Sequence, residues 1–290
     1  MNLQGVGPEM DVLLDWLERE LTDPLSRLDW NLLSRHNRAY LHYRDAPFAR
    51  FVRSEWPYYR RVLGWYSKNL PVGCKVVDLG MFVPVIPLAL THMGYRVETV
   101  ERMSLYGGAL NPICHLARSH GIVVHDRDIA EDQSVCSNAD AVNFLAVAEH
   151  LLGSPRSVLN GLSRCMPPSA YFLFVVPNQA RLSRRLSLLI AGKSVQPDFE
   201  DYFYSEYPFE GHHREYTREE VRFALTRGGF KISSLTSIKY PARGSLLEKA
   251  VTLLGNLLPP TFHQVHFAVA TPAPNSIQQM DPREQNALIP

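Results

Sequence analysis

The chain has 290 residues, 46% of them hydrophobic and 20% charged, with 30 basic against 29 acidic side chains. Disorder, which needs low hydrophobicity and a large net charge, is excluded, and the basic surplus of a dedicated nucleic-acid binder is absent. No stretch approaches the roughly 20 apolar residues that span a bilayer, because the longest run, Met81 to Leu90, is broken by Pro84 and Pro87.

The four cysteines, Cys74, Cys114, Cys136 and Cys165, show neither a CxxC pair nor a Cys/His ligand spacing, so reduced intracellular thiols are expected. The opening MNLQGVGPEMDVLLDWLERE carries acids where an export signal needs a basic start and an apolar core. A cytoplasmic protein is the expectation.

Met10, Leu13, Leu14, Leu17 and Leu21 fall at i, i+3, i+4, i+7 and i+11, which predicts an amphipathic helix with Asp11 in its first turn. Residues 25–70 continue an aromatic-rich helical pattern that stops at Pro71 and Gly73, so residues 1–71 read as a helical extension. After Gly73 the short runs KVVDL, YRVETVE, GIVVHD, DAVNFL and YFLFVV alternate with helix-length gaps. That alternation predicts a doubly wound α/β sheet over residues 72–271. Within it, residues 179–211 form an insertion, first basic and helical (RLSRRLSLLIAGK), then acidic and aromatic (DFEDYFYSEYPFEG), of a length suited to a lid. A helix capped by a Thr217–Glu220 box follows, then the strand FKISSLTSI, a leucine stripe over 246–258 and a last strand, VHFAVA. Residues 272–290 read as a disordered tail.

Ligands of doubly wound sheets sit at the carboxyl ends of the strands. Asp78 and Gly80 follow the first strand here, Glu101 ends the second, Asp128 follows the third, and residues 143–150 surround the end of the fourth. A small residue after the first strand lets backbone approach a ligand, and a carboxylate at the second strand's tip can accept hydrogen bonds from both hydroxyls of a ribose.

In these segments the chain resembles class I S-adenosylmethionine-dependent methyltransferases, in particular the broad small-molecule group with an EH pair after the fourth strand. VVDLG is similar to that family's first motif, RDIAED to its adenine-binding turn, and DAVNFLAVAEHLLGSP to its fourth-strand segment, with Glu149 and His150 opening the next helix. SRCMPPSAYFLFVVPN is similar to its helix, turn and fifth strand, and HHREYTREEVRFALTRGGFKI to a later His-Arg-aromatic-Thr segment. The resemblance implies S-adenosyl-L-methionine as cofactor, held by Asp78, Gly80, Phe82, Glu101, Asp128, Ile129 and Leu145. It also implies a Rossmann-like sheet with one antiparallel strand near the C-terminus, and methyl transfer to an oxygen of a small-molecule acceptor: a sugar, polyketide, quinone or lipid-linked compound. Two departures stand out. Phe82 and Pro84 replace the second and third glycines of the family's first loop, so the alternative is a catalytically silent interaction module on the same scaffold. Some quinone-modifying relatives hold a divalent ion with an extra acid one turn before the EH histidine; Ala146 stands there, and no metal is expected.

Methyl transfer asks a protein to align the nucleophile, exclude water and remove a proton. His213, beside His212, and His150 are the candidate catalytic groups. The plainer alternatives are a loop hydrogen bond for His213 and a helix anchor for Glu149–His150. The balanced charge argues against a nucleic-acid partner. The basic face of Arg181, Arg184 and Arg185, opposite Leu182, Leu186, Leu189 and Ile190, leaves room for peripheral membrane contact or a lipid-linked substrate, to which the 246–258 stripe would add if exposed.

Overall fold

The computed structural model describes residues 8–41, 49–192 and 199–273. Seven strands form one sheet: β1 Lys75–Leu79, β2 Arg96–Glu101, β3 Val123–Asp126, β4 Ala141–Leu145, β5 Tyr171–Pro177, β6 Phe230–Ile238 and β7 Val265–Pro272. Their order is β3-β2-β1-β4-β5-β7-β6, with β1 to β5 parallel and β7 antiparallel between β5 and β6. The doubly wound α/β expectation and its single antiparallel strand are therefore both met. The central strands β1, β4 and β5 are buried along nearly their whole length, which is why they read as continuous apolar runs rather than as alternation.

In chain order the helices are α1 Pro8–Ser26, α2 Trp30–Leu33, α3 Ala49–Asn69, α4 Val85–His92, α5 Asn111–Ser119, α6 Arg156–Cys165, α7 Leu182–Ala191, α8 Phe199–Tyr204, α9 Arg218–Arg227 and α10 Leu246–Leu257. Helices α1 to α5 share one apolar core on one face of the sheet, while α6 and α9 close a second core on the other. The predicted stripe of α1, Met10 to Leu21, is buried throughout. The capping box at Thr217 forms as expected. Strand β7 runs to Pro272, so that residue belongs to the sheet, not to a tail. Phe48, Lys193 and the remainder of the expected tail, from residue 274, lie outside the described residues. All four cysteines are free thiols.

Two sets of contacts bring distant segments to the carboxyl end of the sheet. From α3, the buried Tyr66 hydroxyl donates to Asn143 Oδ1 (2.6 Å) on β4, and Asn143 Nδ2 donates to Asp78 Oδ1 (3.0 Å) on β1. From the insertion, the Glu206 and Glu210 amides donate to the Arg35 and His36 carbonyls (2.6 and 2.7 Å). Extension and insertion thus meet over the same edge of the sheet.

Candidate active site

A cavity of about 750 Å³ opens at the carboxyl ends of β1, β2 and β4, where the sheet reverses its direction of growth. Asp78, Gly80, Phe82, Glu101, Asp128, Ile129 and Leu145 all line it. So do Tyr40, Tyr58 and Tyr59 from the extension, Arg184, Phe209 and Glu210 from the insertion, and His212 just after it.

The first loop is held tightly. Gly80 has φ +78°, and a Cβ there would meet Val147 Cγ2 at 2.5 Å, so glycine is required on both conformational and steric grounds. Phe82, in place of a second glycine, also has positive φ, +31°. A left-handed non-glycine residue costs on the order of 1–2 kcal/mol. Two contacts offset that cost: the Phe82 amide donates to Glu101 Oε2 (2.7 Å), and its ring stacks on Tyr40 (centroids 4.9 Å apart, planes at 13°).

Glu101 Oε1 accepts the Arg102 amide (2.9 Å), so each oxygen of this buried carboxylate takes one backbone N–H and keeps a lone pair for a further donor. Burial raises its pKa while the two amides pull it back. Arg102 donates to Asp128 Oδ2 (3.1 Å) and pairs with Glu210. Asp128 Oδ1 accepts the Ala130 amide (2.8 Å), which fixes the turn after β3. Burial pushes Asp78 up to about 7 against the Asn143 hydrogen bond, and pushes Glu210 up to about 7 against Arg102. A cationic ligand entering the cavity would draw both acids back to the ionised form.

The EH pair sits differently from the sequence reading. Glu149 and His150 lie in a single 3₁₀ turn, Ala148–His150, and α6 begins only at Arg156, because Gly153-Ser154-Pro155 separates the two. Glu149 is fully buried and both its carboxylate oxygens lack a hydrogen-bond partner. Burial accordingly pushes its pKa up to about 7. His150 lines the cavity; burial drives its pKa down to about 3, leaving a neutral ring whose Nδ1 lies 2.9 Å from the Glu210 carbonyl. That contact makes Nδ1 the protonated nitrogen and leaves Nε2 with a lone pair.

His213 is set apart from the cavity wall: its Nε2 lies 2.8 Å from the Phe209 carbonyl and its amide donates to Glu149 O (2.6 Å). The loop turns its neighbour His212 inward instead. His212 Nδ1 lies 3.4 Å from Glu215 Oε1, and Glu215 is buried against Arg181 (2.8 Å) and Arg184 (3.4 Å). Burial works against the charge on Glu215, yet His212 and the two guanidiniums hold its pKa below the ordinary value. Burial likewise opposes a charged His212, but Glu215 and Glu149 raise its pKa. One ligand atom each from Glu149, His150 and His212 lies within 4.8 Å of the others, a spacing that could hold a divalent cation. The third member comes from the loop just after the insertion, not from position 146, where Ala146 stands at φ +55°. The sequence put forward His213 as the catalytic member of the HH pair, whereas His212 is the one that lines the cavity. Nothing local signalled Glu210 or Arg102.

Strand order and cavity position together decide the architecture. The fold is that of the S-adenosylmethionine-dependent methyltransferases. It is similar to magnesium protoporphyrin IX methyltransferase from Synechocystis PCC 6803, solved with bound SAH, at 15% identity over 78% of this chain and 87% of that one, with a TM-score of 0.50. It is likewise similar to a SAM-dependent methyltransferase from Methanosarcina mazei, at 18% identity over 73% of this chain and 97% of that one, with a TM-score of 0.50. No family model and no curated protein matches the sequence.

Proposed function

We propose that this protein transfers a methyl group from S-adenosylmethionine to an oxygen of a small molecule. The observation that carries this reading is the convergence of seven residues from four strand ends, Asp78 to Leu145, on one cavity of a methyltransferase fold. The residues fit the cofactor. Glu101 keeps lone pairs for ribose hydroxyls, Gly80 admits backbone approach, and Asp78 and Glu210 supply negative charge for a cationic methionine moiety. When bound, the cofactor supplies an electrophilic methyl on a sulfonium. The side chains then align the acceptor, exclude water and take up its proton.

His212 is the proton acceptor in this reading, because Glu215 orients its ring through Nδ1 and the ring lines the cavity. His150, held neutral, lines the wall beside it with its ring 4.7 Å away. The base must be deprotonated to act, so turnover rises with pH through a His212 pKa above 6.5. His212→Asn lowers kcat on the order of a hundredfold and removes that limb of the pH profile, with cofactor affinity unchanged. Retained pH dependence in the variant would move the base elsewhere. Calorimetry with S-adenosylmethionine and S-adenosylhomocysteine tests the reading as a whole. Saturable binding supports it, and its absence at millimolar ligand favours a silent module.

A second reading rests on the unpartnered carboxylate of Glu149. With His150 and His212 it would hold a divalent cation, which lowers the pKa of an acceptor hydroxyl. Mn²⁺, Zn²⁺ or Mg²⁺ should then raise the melting temperature of the wild type and leave Glu149→Gln unmoved. Equal responses from both proteins would count against the site.

A further inference from the structure

Helix α10 places its leucines in water. Leu246, Ala250, Leu253 and Leu257 fall at i, i+4, i+7 and i+11, one stripe along the helix, and all are exposed, Leu246 by 86% and Leu257 by 84%. Gly255, on the opposite side, is the one buried residue of α10 and packs on Leu182 of α7. The helix is no frayed end: Ser245 and Glu248 form a complete capping box at its start. Its neighbour α7 begins buried at Leu182 and ends with Leu188, Leu189 and Ile190 exposed. Scattered surface leucines are ordinary, but two packed helices that both turn their apolar residues outward mark an interaction surface.

Charge identifies what the surface meets. Beside the exposed leucines stand the exposed Lys239 and Arg243, in the lead-in to α10, and Lys249 on it, against a single acid, Glu248, which the cap uses. At α7, Arg181 and Arg184 are paired with the buried Glu215, and Arg185 is the exposed arginine. The chain as a whole is balanced, so this face is selectively basic. A second copy docked through a two-fold axis would set this basic patch against itself. An anionic bilayer complements both features. At 12 residues α10 is about 18 Å long, short of the roughly 30 Å hydrocarbon core, and no described helix is long and apolar enough to cross a membrane.

We propose that the α7–α10 face docks in the plane of an anionic phospholipid surface, with the leucines seated at the acyl boundary and the basic residues among the headgroups. Helix α7 also carries Arg184 on the cavity wall, so the docked face adjoins the cavity. Docking stands independently of the proposed methyl transfer, because it is read without cofactor or turnover.

The test is co-flotation of the full-length protein with phosphatidylcholine vesicles, with and without phosphatidylserine. Binding should require phosphatidylserine, weaken with salt, and fall on the order of tenfold or more in Lys239→Glu/Arg243→Glu and again in Leu253→Glu/Leu257→Glu. All four positions are exposed or half-exposed and unchanged melting curves will show intact folds. Absence of flotation with the phosphatidylserine-containing vesicles, or equal flotation without phosphatidylserine, overturns the proposal. So does flotation that neither variant weakens, or a wild-type dimer in sedimentation that Leu253→Glu/Leu257→Glu dissolves.

Discussion

Glu101→Ala should weaken binding of S-adenosylhomocysteine on the order of a hundredfold while the protein stays folded. The carboxylate is buried at the tip of β2 and accepts two backbone amides, from Phe82 at 2.7 Å and Arg102 at 2.9 Å. Each charge-assisted hydrogen bond contributes about 1.5–3 kcal/mol before water compensates. Alanine therefore removes more than the ribose acceptor. It orphans the Phe82 amide, and Phe82, already at positive φ, loses one of its two restraints. A loss of about 3 kcal/mol in affinity, near a hundredfold, follows from the ligand contacts and the loosened loop together. Glu101→Gln retains the shape and one good acceptor, and should fall between wild type and alanine. Calorimetry reads both variants, and an unchanged affinity in a folded Glu101→Ala protein would remove the residue from the cofactor site.

Glu149→Gln should stabilise the protein at pH 8 by roughly 3 kcal/mol and at pH 5 by less than about 1 kcal/mol. Burial without a hydrogen bond, against the pull of the nearby His212, raises the folded-state pKa from 4.5 to about 7. The folded protein thus holds this proton more tightly than the unfolded chain. The stabilising contribution is complete below pH 4.5 and is lost as pH rises through about 7. Glutamine does not titrate, so the variant escapes the loss. Asp78 and Glu210 carry shifts of the same sign and tilt both proteins alike, which makes the difference between wild type and variant the quantity to measure by urea unfolding at the two pH values. A variant less stable than wild type at pH 8 would mean that Glu149 is ionised and paired. Were a divalent cation bound, the wild type would recover its stability at pH 8 on adding it, and the variant would not.

The sheet was legible because KVVDL, DAVNFL and YFLFVV are runs that only a two-sided buried strand explains, each separated by room for one crossover helix. The cavity's sheet-borne residues were legible for a related reason: Asp78, Glu101 and Asp128 stand at strand ends, and strand ends converge by topology. The contribution of the insertion and of the loop that follows it was not. His212 and His213 are adjacent, and which of them faces inward depends on a loop anchored at Phe209 and Glu149, contacts with no sequence period. Glu210 meets Arg102 across 108 positions of chain, a pairing that propensity cannot indicate. The displacement of the EH pair from α6 was readable in part, since Gly153-Ser154-Pro155 is a turn signal directly after it.

The chain from Tyr66 through Asn143 to Asp78 bears on how small a working fragment of this protein could be. An amide side chain has two ends that differ only in what they offer, and Asn143 presents nitrogen to Asp78 because the tyrosine hydroxyl claims its oxygen. A fragment beginning after Pro71 would retain every strand and all seven of the cofactor-facing residues. It would nonetheless leave the buried Asn143 Oδ1 without its donor and loosen the amide that supports the Asp78 carboxylate. The α3 helix is therefore part of the minimal unit on electrostatic grounds, even though it contributes no strand, and a trimmed protein should begin upstream of it.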